Sequence, residues 1–149
     1  MIETRDLTVR YNGNAVVDGV SLSVSAGEWV GIIGPNGAGK SSLLRAIAGT
    51  ISSSGEVAIG GRPAGELSRR ERARAVAVVP QNPVLPDAMS VVDYVLLGRT
   101  PHLGYLAAES DADLAITEAA LWDLGIIHLA ERPLGSLSGG ERQRSVLAR

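Results

Sequence analysis

Residues 34–41 read Gly-Pro-Asn-Gly-Ala-Gly-Lys-Ser, three glycines closed by a lysine and a hydroxyl. Glycines let a backbone wrap closely around an anion with successive N–H groups pointing inward. In the pattern G-x-x-x-x-G-K-[ST] the anion is a chain of phosphates. Gly34, Pro35, Asn36, Gly37, Ala38 and Gly39 would form the cradle, and Lys40 would reach the β- and γ-phosphates. The Ser41 hydroxyl would coordinate Mg²⁺, and Ser42 would continue the run of N–H groups into the following helix. Lys40 is the one lysine among fourteen basic residues, a place where a compact ammonium rather than arginine's planar fork is used. The residue types predict an ATP site.

Such a loop works when a strand delivers it and a helix leaves it. Residues 29–33 (Trp-Val-Gly-Ile-Ile) read as a short strand buried on both faces. Residues 41–48 read as a helix with Leu43, Leu44 and Ile47 on one side and Gly49 as its stop. Upstream, residues 2–10 and 16–24 alternate as strands around an Asn12-Gly13-Asn14 turn. Downstream, residues 56–59 and 75–79 read as strands flanking an arginine-rich helix over 67–74, and 82–87 as a proline loop. Helices are expected over 90–97 and 110–124. A last helix opens at Ser138-Gly139-Gly140-Glu141 and meets no stop signal before Arg149, so the sequence reads as a truncated domain.

Leu137-Ser138-Gly139-Gly140-Glu141-Arg142-Gln143 resembles the signature motif of the ATP-binding cassette ATPases. Read locally, it is also a capping box, Ser138 with Glu141 three residues on. The resemblance implies that two subunits pair head to tail, with Ser138, Gly139 and Gly140 acting on the partner's ATP. It further implies that Tyr11 stacks on adenine. Gln81, after Ala77-Val78-Val79-Pro80, would contact Mg²⁺ and the attacking water and relay the nucleotide state to a membrane partner. The stretch 90–105 (SVVDYVLLGRTPHLGY) is similar to that of ATPases serving importers of iron–siderophores, haem and vitamin B12.

The fold class expected is α/β, a P-loop NTPase sheet core with an antiparallel β subdomain and a helical subdomain, its C-terminal part missing. Residues 1–80 would form the core, 81–137 the helical subdomain and 138–149 the start of the signature helix. The function expected is the ATP-binding subunit of an importer, at the cytoplasmic face of the membrane and bound to transmembrane permease subunits. A soluble non-transport ATPase of the same family and a non-catalytic nucleotide-binding fragment are the alternatives.

Four apolar residues followed by Asp-Glu, the family's carrier of the Mg²⁺-supporting aspartate and water-activating glutamate, do not occur in these 149 residues. Nor does the family's switch histidine, and the central strand that bears the acidic pair is missing with it. The resemblance therefore implies a chain that does not hydrolyse ATP alone. A net charge of −2 gives no case for nucleic acid. Glu66 and Glu71 interleave the Arg69–Arg74 cluster, which reads as a solvated helix face. No cysteine and two histidines leave little for a metal site. His102 reads as a structural or contact residue of its loop, and His128 as part of the helical packing.

Overall fold

The computed structural model describes residues 1–104 and 107–149. Tyr105, the last residue of the importer-like stretch, lies outside the described residues. The chain divides into two compact units, Met1–Val78 and Val79–Arg149.

In the first unit, β1 (Ile2–Tyr11) and β2 (Asn14–Val24) form an antiparallel hairpin, with Tyr11 paired to Asn14. Asn12 and Gly13 both adopt positive φ, 49° and 84°, the two-residue turn whose twist matches that of the flanking strands. β3 (Ser54–Ile59) adds to the other side of β1, and the short β4 (Arg62–Pro63) completes a sheet of order β2-β1-β3-β4. Strand alternation sends Leu7, Val9 and Val17 to one face. There they pack with Leu43, Ala46 and Ile47 of helix α1 (Lys40–Ile47). The buried stripe on α1 is thus 43, 46 and 47. Leu44, expected on that side, is turned about 100° from Leu43 and stays exposed.

Two expected strands do not form. Residues 29–33 carry no strand structure, and Trp29 and Ile33 are 98% and 96% exposed rather than buried. Residues 75–79 fare likewise. Ala75 closes helix α2 (Arg69–Ala75), and Val78 and Val79 are exposed. An apolar run becomes a strand only against a neighbour that takes its N–H and C=O groups. The described sheet pairs neither run. Helix α2 buries no residue, and its Ser68–Glu71 capping box is extended by an Arg62–Glu71 ion pair at 3.0 Å.

The second unit is helical: α3 (Val91–Leu96), α4 (Asp111–Asp123) and α5 (Gly139–Ala148), with a 3₁₀ segment (Leu97–His102) after α3 and two 3₁₀ turns (Ile127–Leu129 and Leu134–Ser136) between α4 and α5. Val91, Tyr94 and Val95 of α3 pack with Leu121 of α4, Val146 of α5 and the turn residues Ile126, Leu129, Leu134 and Leu137. Residues 130–135 run antiparallel to 87–92, through Val91 N–H to the Arg132 carbonyl (3.1 Å) and Leu134 N–H to that of Met89 (2.9 Å). His128 points to solvent while its neighbours Ile126 and Leu129 fill the core, so the expectation that it packs inside is corrected. Its 3₁₀ turn covers Ile127–Leu129, and one turn of that geometry buries only part of its residues.

Asp113 ties this unit together. Its carboxylate accepts from the Ser110 hydroxyl (2.6 Å) and N–H (3.1 Å) and from Arg99 Nε (2.9 Å), fixing the turn that holds Arg99 to the start of α4. The Ser110 hydroxyl and N–H, then Arg99, lower its pKa from 3.8 to about 2. A carboxyl whose pKa falls on folding stabilises at pH above its unfolded value, and that contribution disappears as pH drops through its folded value. Asp113→Asn should therefore melt below the unsubstituted chain at pH 7. The gap should close between about pH 4 and pH 2 in circular-dichroism melts. A gap undiminished at about pH 2 would contradict this account.

Candidate nucleotide site

The glycine loop and Lys40 lie in the first unit, at the start of α1. Its turn is drawn in by Ala38 N–H donating to the Pro35 carbonyl (3.3 Å). Gly37 and Gly39 have φ of 83° and 84°, a backbone that side-chain-bearing residues adopt only with strain. Gly39 is the residue that sets α1 in place. A Cβ there would overlap the Val16 carbonyl oxygen of β2, so its bare α-carbon lets the helix start lie directly on the hairpin. A cleft of about 220 Å³ opens beside it, lined by Val16, Val17, Gly39 and Lys40 among others.

Lys40 folds back over its own loop. Its ammonium donates to the Gly34 carbonyl at 2.8 Å and the Pro35 carbonyl at 2.7 Å. The charge is thereby parked over the cradle on neutral, exposed acceptors, from which an anion can draw it. Ser41 is exposed and its hydroxyl makes no hydrogen bond among the described residues.

The start of α1 differs from those of the other four α-helices among the described residues. Serines cap α2 (Ser68), α3 (Ser90), α4 (Ser110) and α5 (Ser138), each with an acidic residue in the first turn. On α1, Gly39 offers no side-chain cap and the first turn carries no acid. A helix start has N–H groups without intrahelical partners and the positive end of the helix dipole. On α1 these are left to solvent or to a ligand, beside a lysine and an unengaged hydroxyl.

Tyr11 ends β1 in the same unit and is 45% exposed, a ring available for contact. Gln81 and Ser138–Gly140 belong to the second unit. Gln81 is exposed in an irregular stretch. Ser138, Gly139 and Gly140 are exposed at the start of α5, held there by buried Leu137 on one side and buried Ser145 and Val146 on the other. Arg132 braces the approach by donating to the Ser136 carbonyl (3.0 Å) and hydroxyl (3.2 Å), and Arg142 donates to the Gly135 carbonyl (3.0 Å). These braces, like the fit of Gly39 on Val16, join residues with no fixed sequence spacing and left no signal in the sequence. Among the described residues no helix is long and apolar enough to cross a membrane, and no three His, Cys, Asp or Glu side chains gather to hold a metal.

The ABC transporter family model matches residues 17–149. Hemin import ATP-binding protein HmuV of Gloeobacter violaceus is 43% identical over 150 residues, covering 100% of this chain and 54% of the relative. Cobalamin import ATP-binding protein BtuD of Halobacterium salinarum is 39% identical, covering 99% of this chain and 37% of the relative. Iron(3+)-hydroxamate import ATP-binding protein FhuC of Bacillus subtilis is 34% identical, covering 99% and 55%. The chain thus spans about half the length, or less, of these curated relatives. A solved metal-chelate type ABC transporter in an inward-facing conformation superposes with a TM-score of 0.79 at 28% identity, over 99% of this chain and 53% of that one. An ATP-binding cassette in its ADP conformation does so at 0.83 and 26%, over 99% and 63%. With the α/β fold, the glycine loop and a family match over most of its length, the chain belongs to the ABC transporter family.

Proposed function

We propose that the chain is the ATP-binding part of an ABC importer, coupling ATP binding and hydrolysis in the whole protein to uptake of an iron chelate, haem or corrinoid. The observation that carries the nucleotide reading is the open start of α1, among the described residues the one α-helix without a side-chain cap or first-turn acid, with Lys40 beside it. Phosphates would take the Gly34–Gly39 N–H groups and those of Lys40, Ser41 and Ser42, and would draw the Lys40 ammonium off its two carbonyls. The exposed, unengaged hydroxyl of Ser41 is a hard oxygen donor of the type Mg²⁺ prefers. Bound there, Mg²⁺ supplies neutralisation of phosphate charge. Tyr11 would lay its ring on the adenine.

Ser138, Gly139 and Gly140 would serve the nucleotide of a second subunit paired head to tail. Gln81 would report the nucleotide state to transmembrane permease subunits, placing the chain at the cytoplasmic face of the membrane. The importer class rests on the 90–105 stretch and on relatives named for hemin, cobalamin and iron(3+)-hydroxamate import.

The 149 residues alone are expected to bind Mg·ATP only weakly and without turning it over, because the acidic pair that supports Mg²⁺ and activates water is not among them. Titration calorimetry with Mg·ATP, followed by phosphate release, tests both halves. No binding would remove the site, and steady turnover would remove the account of hydrolysis. For the importer, disruption of the gene should abolish uptake of one of the three solutes. Uptake of all three unchanged would sink that assignment and leave the nucleotide site standing.

A further inference from the structure

The two helix starts that the head-to-tail reading assigns to one nucleotide are chemically opposite. That of α1 is open. That of α5 is already occupied by the chain's own carboxylate. Glu141 Oε2 accepts from the Ser138 hydroxyl at 2.8 Å and from the Ser138 N–H at 2.8 Å, and Glu141 N–H donates back to Ser138 Oγ at 3.4 Å. A serine hydroxyl has one proton. Here that proton lies on a carboxylate, so Ser138 offers an arriving phosphate a lone pair and, within hydrogen-bond distance of it, a negative charge.

The capping boxes of α2 and α4 share this bonding, with carboxylates neutralised by an arginine, Glu71 by Arg62 at 3.0 Å and Asp113 by Arg99 at 2.9 Å, whereas Asp93 of α3 takes the Ser90 hydroxyl at 2.6 Å without an arginine ion pair among the described residues. Among the described residues Glu141 has no ion pair within 4 Å, and Arg132 and Arg144 act on it only from a distance. The Ser138 hydroxyl is the first cause holding the Glu141 carboxyl below its ordinary pKa, so the charge persists through the working pH range.

We infer that Glu141 is a positioning residue that restrains the Ser138 hydroxyl and opposes premature closure on a partner's ATP, so that the γ-phosphate must win the hydroxyl proton from it. The inference rests on the head-to-tail reading above and adds a restraint to it. A neutral glutamine at 141 can still accept from Ser138 N–H and keep the cap, while removing the charge that repels phosphate.

The test is self-association of the chain by sedimentation velocity over a titration of Mg·ATP, for the unsubstituted chain, Glu141→Gln, Glu141→Asp and Glu141→Gln with Ser138→Ala. Thermal melts run alongside to follow the cap. Glu141→Gln should lower the ATP concentration for half-maximal association about fivefold, the scale of one unit-charge repulsion at ~4 Å in water. Glu141→Asp, which keeps the charge in a box of the Ser110–Asp113 kind, should not. Adding Ser138→Ala should cancel the gain, which a purely structural cap would not predict. Pairing of the unsubstituted chain that Glu141→Gln leaves unchanged or weakens overturns the inference alone. No ATP-dependent pairing in any variant removes it together with the head-to-tail reading.

Discussion

Lys40→Ala is expected to remove most ATP binding while leaving the melting temperature within a degree or two of the unsubstituted chain. The two effects separate because of what Lys40 touches. Among the described residues its ammonium bonds only to the Gly34 and Pro35 carbonyls, and both residues are exposed. Water can take over those acceptors when the side chain is cut, so no buried group is orphaned and the fold loses little. The triphosphate has no such substitute. A hydrogen bond to a charged group contributes about 1.5–3 kcal/mol, and Lys40 would give at least one to the β- or γ-phosphate, so affinity should drop about ten- to a hundredfold. Lys40→Arg should not restore it, since a planar fork does not occupy the place of a compact ammonium. Titration calorimetry beside a thermal melt reads both quantities. Unchanged affinity in Lys40→Ala would mean that the loop does not hold phosphates through this side chain.

The loop's backbone was legible because its pattern is contiguous: the glycines within residues 34–41 announce the left-handed turns found at Gly37 and Gly39. Helix starts were legible for the same reason. Ser68–Glu71, Ser110–Asp113 and Ser138–Glu141 are capping boxes in three-residue spacing, and each forms. Reading failed where the outcome depends on a distant neighbour. Residues 29–33 and 75–79 have strand composition, but composition does not say whether a ladder partner stands alongside, and none does among the described residues. Leu44 and His128 failed on direction, because an apolar residue or an apolar setting was taken to imply an inward face, and helix geometry turned each outward. Arg99 and Asp113 are fourteen positions apart, and nothing in either residue's surroundings announces that they meet at 2.9 Å. Gly39 is a mixed case. The motif demands the glycine, yet the motif's own logic, close approach to phosphate, leaves out the carbonyl of Val16 beneath it.

That second demand on Gly39 can be measured against Gly37. The two have nearly equal φ, 84° and 83°, so an alanine at either bears the same backbone strain, about 1–2 kcal/mol for an L-residue in the left-handed region. They differ in surroundings. Nothing lies within 4 Å of a Cβ at Gly37, whereas one at Gly39 meets the Val16 carbonyl and the Val17 side chain. Backbone cannot rotate aside as a side chain can, so α1 would have to lift from β2. Its contacts of Leu43, Ala46 and Ile47 with Leu7, Val9 and Val17 would loosen with it. Displacing those side chains adds a packing loss on the scale of a core truncation, about 2–5 kcal/mol. Gly37→Ala should thus lower the melting temperature slightly, and Gly39→Ala by several times as much. Both should weaken Mg·ATP, Gly37→Ala through the cradle's own N–H directions and Gly39→Ala through a helix start that no longer faces it. Equal melting temperatures for the two variants would show that the hairpin does not seat the helix. The position of the phosphate cradle would then be set by the loop's conformation alone.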